Sequence, residues 1–130
     1  MTMQIHVWKI REDTSLGIPP RSGTISAMIH VVATTTLNPG TRAAFLIEFK
    51  RMVPETLAED GCIRYEPVFD IAETIHPRQI TARPDVVTVL ESWRDLDCLR
   101  AHLAAPHLVA YRERVRDYVV AGQLQILTGG

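Results

Sequence analysis

At 130 residues, with 46% hydrophobic and 22% charged side chains, the chain is sized for one folded domain and is too apolar for a disordered tail. A formal net charge of −1 and dispersed arginines argue against a nucleic-acid partner. The densest basic group, Arg112, Arg114 and Arg116, alternates with Glu113 and Asp117, as a solvated helix face does. Cys62 and Cys98 lack CxxC spacing, so two reduced thiols in a cytoplasmic protein are expected, with neither a disulfide framework nor a zinc site. No apolar run is long enough to cross a membrane, and none has the pattern of a secretory leader.

Residues 1–27 read as an N-terminal extension: Gln4 to Ile10 could form a short strand, and Leu16 to Gly23 resembles a linker. The patterned domain, 28–130, begins at Met28. Ile29 to Leu37 is rich in β-branched residues and ends at Asn38-Pro39-Gly40, which predicts a strand followed by a helix start. Leu46, Phe49, Val53 and Leu57 recur at helical spacing and place a helix over Thr41 to Ala58, with Pro54 removing a backbone donor and kinking its last turn. Gly61 suits a left-handed cap. Cys62 to Phe69 reads as a second strand, assigned to an edge or a bulge by Pro67. Residues 70–85 form a long connection of the kind that is often functional or mobile.

Val86 to Trp93 predicts a third strand. Asp95 caps a short helix carrying Leu96, Leu99 and Leu103, and Pro106 opens another with Leu108, Tyr111, Val115 and Tyr118 at helical spacing. Gly122 is expected to end that helix, leaving Leu124 to Thr128 as a last strand. The order βαββαβ is the ferredoxin-like α+β arrangement, a four-stranded antiparallel sheet with helices on one face. Valine and isoleucine at both phases of the first and third strands would leave an apolar sheet face wet. A homodimer that pairs the two sheets into an α+β barrel would cover it.

Between Glu91 and Tyr111 lies the one cluster suited to chemistry. Glu91 and Trp93 leave the same face of their strand, and His102, His107 and Tyr111 follow on the helices. A buried carboxylate beside an imidazole can move a proton, because desolvation and pairing shift both toward neutral pH. Each residue also has a plainer reading. Glu91 suits an exposed cross-strand partner of an arginine, Trp93 a core residue, His107 a cap on its own helix, and Tyr111 the packing stripe. Pro106 separates His102 from His107, so they do not form an i, i+4 metal pair.

Leu90-Glu91-Ser92-Trp93-Arg94-Asp95, followed by Ala101-His102-Leu103 and Pro106-His107-Leu108, resembles the antibiotic biosynthesis monooxygenase family. Glu59-Asp60-Gly61-Cys62 through Tyr65 is similar to that family's helix-to-strand signature, and the resemblance covers about residues 28–128. It implies a ferredoxin-like dimer. It also implies a monooxygenase that oxidises a quinol or phenolic aromatic with O2 and needs no flavin, metal or haem. On that scheme the substrate stacks on Trp93 and His102, oriented by Glu91, takes the phenolic proton, while His107, Tyr65 or Tyr111 hydrogen-bonds the anion. Haem-degrading members carry an asparagine on the first strand and a histidine on the last long helix. Here Thr34 to Thr36 and the neighbourhood of Arg112 stand at those places. An isomerase of a phosphorylated signalling sugar shares the paired histidines and a loop similar to His76-Pro77, and it stays in competition, as does a non-catalytic binding dimer.

Overall fold

A computed structural model describes residues 27–129. The expected extension over 1–27, with its Gln4–Ile10 strand, therefore lies outside the described residues save for Ala27. Seven elements follow in chain order: β1 (Ile29–Leu37), α1 (Arg42–Leu57), β2 (Cys62–Val68), β3 (Val86–Trp93), α2 (Leu96–Leu103), α3 (Pro106–Val115) and β4 (Val119–Thr128). The strands form one antiparallel sheet in the order β2-β3-β1-β4, the ferredoxin-like topology the sequence predicts.

Local chemistry explains several element ends. Gly40 takes φ +81° in the turn after β1, and the Thr41 hydroxyl donates to the Asn38 carbonyl there at 2.8 Å. The Asp95 carboxylate accepts from Cys98 N–H at 2.9 Å, capping α2, and Pro106 occupies the first turn of α3, where its missing N–H costs nothing. Pro67 lies on β2, an edge strand, as its lost donor requires. Helix α1 runs through Pro54 to Leu57.

Two expectations need correction. Helix α3 stops at Val115, and Gly122 lies inside β4 opposite Thr35. Val119, Val120 and Ala121 join β4 because the β-branched edge of β1 offers them a ladder, with a register shift at Thr36/Leu37. The bare sheet face is also less apolar than expected. Its phase carries His30, Val32, Thr34 and Thr36 on β1 with Val86, Thr88, Leu90 and Ser92 on β3. Most of the exposed large apolar side chains among the described residues lie on β4 (Val120, Leu124, Ile126, Leu127) and on the 69–85 connection (Phe69, Ile71, Ile75, Ile80).

The core fills the space between sheet and helices. Phe45, Phe49, Met52 and Val53 of α1 meet Ile29, Val31, Val87, Val89 and Trp93 of the sheet and Leu99, Leu108, Tyr111 and Val115 of the other helices. Aromatic rings run through it in sequence. Phe49 stacks on Tyr65 at 5.6 Å, Tyr65 meets His102 edge-on at 5.4 Å, and His102 lies 4.6 Å from Trp93. Among the described residues, no helix is long and apolar enough to cross a membrane.

Candidate active site

A cavity of about 380 Å3 opens on the helix side of the sheet. Its floor is Ala33, Thr35, Val89, Glu91 and Tyr65; its roof is Phe49, Leu103, Leu108, Tyr111 and Arg112; and Gly122, Gln123 and Leu124 of β4 form its rim. Gly122 does not have positive φ, and a Cβ there would meet nothing nearer than the Thr34 carbonyl oxygen at 3.9 Å. The backbone would therefore accept a Cβ at 122, and glycine leaves space at the rim.

Glu91 is the carboxylate among the described residues of this wall. It stands in register between Val31 of β1 and Tyr65 of β2 and is only 6% exposed. A β-bulge between Cys62 and Arg64 sets this register. Uninterrupted pairing from Cys62 would put Arg64 opposite Glu91; the extra residue substitutes Tyr65 and turns Arg64 to the other face, where it pairs with Glu66. Among the described residues Glu91 thereby forms no ion pair. Burial pushes its carboxyl up to about 7, partly opposed by a 2.9 Å hydrogen bond donated by Trp93 Nε1. Burial likewise raises the Tyr65 and Tyr111 hydroxyls, so both stay protonated at neutral pH and can donate to an anion.

The other expected site residues lie elsewhere. Trp93, His102 and His107 do not line the cavity. Trp93 is fully buried, with its indole against Glu91 on one side and the His102 ring on the other. The carboxylate that holds His102 is Glu59, not Glu91: His102 Nδ1 lies 2.9 Å from Glu59 Oε2. His107 Nε2 reaches the same oxygen at 2.8 Å, and the Thr56 hydroxyl lies 3.2 Å from that nitrogen. Burial lowers the affinity of His102 for a second proton, with Glu59 pulling the other way. Sequence spacing missed Glu59 because it sits in the turn after α1, more than forty residues from either histidine. Its place in the Glu59-Asp60-Gly61-Cys62 signature was the available signal. The 70–85 connection does not line the cavity. It is held by its own bonds, Arg83 to Asp70 at 2.8 and 3.1 Å and Gln79 to Ile75 N–H and the Glu73 carbonyl.

The profile of the antibiotic biosynthesis monooxygenase family matches residues 28–114. The chain belongs to that family. Over 105 residues, covering 79% of this chain and 99% of theirs, it is 35% identical to the proteins named "Probable quinol monooxygenase YgiN" of Escherichia coli K12 and of Shigella flexneri. Among solved structures, a conserved protein of Methanosarcina mazei Go1 superposes with TM-score 0.68 at 24% identity, over 81% of this chain and 95% of that one. PA3566 of Pseudomonas aeruginosa gives 0.66 at 23%, over 82% and 98%. At those identities the structures speak for the shared fold alone.

Proposed function

We propose that the chain is a monooxygenase for a quinol or another electron-rich phenol. One atom of O2 enters the ring and the other leaves as water; the substrate supplies all the electrons and gives up two hydrogens to that water. In this scheme no flavin or metal takes part, because a phenolate is itself a strong enough reductant to meet oxygen. Glu91 is the base. A carboxyl poised near 7 in a water-poor wall is matched to removing a phenolic proton at neutral pH. Tyr65 and Tyr111 would hydrogen-bond the anion, and Phe49, Val89 and Leu108 would receive the ring. His102 then serves as a positioning residue, its ring packed on the Trp93 that holds Glu91. His107 steadies the same network through Glu59.

The observation that carries this reading is Glu91, buried in the wall of the cavity and in no ion pair among the described residues. The experiment is oxygen uptake with a panel of hydroquinones in chelator-treated buffer, repeated with Glu91→Gln and His102→Ala. Uptake by the wild type that falls about a hundredfold in Glu91→Gln supports the scheme; no uptake across the panel overturns it.

One observation favours a second reading. Arg112 is the one cation in the cavity wall and forms no ion pair among the described residues, which would suit a phosphorylated sugar and an isomerase. Stabilisation by sugar phosphates without oxygen uptake would decide for it. In either case we propose a second copy of the chain as partner, covering the exposed apolar residues of β4; sedimentation at twice the chain mass is the expected result.

A further inference from the structure

The geometry points to a binding site for one divalent cation of the zinc class at Glu59, His102 and His107, outside the cavity and behind the Trp93 that holds Glu91. One ligand atom from each of these residues lies within 4.8 Å of the others. Glu59 Oε2 is 2.9 Å from His102 Nδ1 and 2.8 Å from His107 Nε2. Zinc binds imidazole nitrogen and carboxylate oxygen at about 2.0–2.2 Å, so a tetrahedral set needs donor separations of about 3.4 Å. The two oxygen–nitrogen separations need open by only about half an ångström to admit the ion, and the two nitrogens lie within 4.8 Å of each other.

Three separate elements present the donors: Glu59 from the turn after α1, His102 from the last turn of α2, and His107 from the first turn of α3. A cation there would tie together the ends of all three helices. The site is also reachable. His102 is 2% exposed, but the side chains of His107 and Glu59 keep 17% and 16% of their surface in solvent. Thr56 Oγ1, beside His107 Nε2, or a water could complete the coordination. Two imidazoles and one carboxylate favour zinc, cobalt or nickel over magnesium and calcium, which prefer all-oxygen sets. Without the ion, two N–H groups can point at the same oxygen. To ligate the ion, each imidazole presents the nitrogen that faces Glu59 without its proton.

The test is equilibrium dialysis of the full chain against Zn2+, with Cys98→Ser as a control because Cys98 and Asp60 lie close together nearby. One equivalent bound at micromolar Zn2+, weakened about tenfold or more by Glu59→Gln and by His107→Ala but not by Cys98→Ser, is the expected result. A second measurement needs no site variant. Co2+ should quench Trp93, whose ring lies 4.6 Å from His102, in a Trp8→Phe background, and its spectrum should lack a thiolate charge-transfer band. No stoichiometric binding, binding that survives both substitutions, or a thiolate band would each overturn the assignment.

Discussion

Trp93 Nε1 donates a 2.9 Å hydrogen bond to Oε1 of Glu91, two residues back on the same strand. The bond favours the ionised carboxylate while burial favours the neutral acid, and burial dominates. The proposed base is thus tuned by its own strand.

Activity should therefore follow Glu91. kcat/KM in the wild type should rise with pH and level off above about 7, since the base must be ionised. In Trp93→Phe the opposing hydrogen bond is gone, so the midpoint of the profile should move to higher pH. Initial rates of oxygen uptake between pH 5 and 9 check both; an unmoved midpoint in Trp93→Phe removes the tuning role.

Stability should run the other way. The carboxyl of Glu91 is raised in the folded chain, from 4.5 to about 7, so the folded state holds a proton that the unfolded state has released. Its contribution to stability is fully present below about 4.5 and is lost as pH rises through 7. Glu91→Gln, which cannot ionise, should be close to wild type at pH 5 and more stable at pH 8.5 by up to roughly 3 kcal/mol. Urea unfolding at the two pH values measures this. The proposed active form of the site is thus its less stable form.

Gly61→Ala should cost about 2 kcal/mol or more. Gly61 has φ +80°, and a Cβ there would lie 2.4 Å from Cys98 Sγ and 2.8 Å from Cys98 Cβ. Reducing Cys98 to alanine in the same background leaves its Cβ in place, so Gly61→Ala/Cys98→Ala should recover only part of the loss in a thermal melt.

Much of the fold is legible locally. Asp95, Pro106, Pro67 and the β-branched run from Val86 each state their position through one backbone requirement. The site is less legible, because its decisive features are relations between distant segments. The bulge that exchanges Arg64 for Tyr65 opposite Glu91 has no glycine to announce it, and the expected source of irregularity, Pro67, lies further along the strand. The meeting of Glu59 with two histidines depends on how α1, α2 and α3 converge. The start of β4 was hidden because Tyr111, Val115 and Tyr118 keep a helical period past the helix end.

The bare Cα at position 122 has an evolutionary reading. Neither backbone torsion nor crowding demands glycine there, so a one-codon change can set the bore of the cavity's rim almost without touching the scaffold. Gly122→Ala and Gly122→Val should keep the melting temperature nearly unchanged while raising KM in proportion to substrate girth, small hydroquinones least and polycyclic phenols most. A relative with a larger side chain at this place would be a narrower sieve on the same frame.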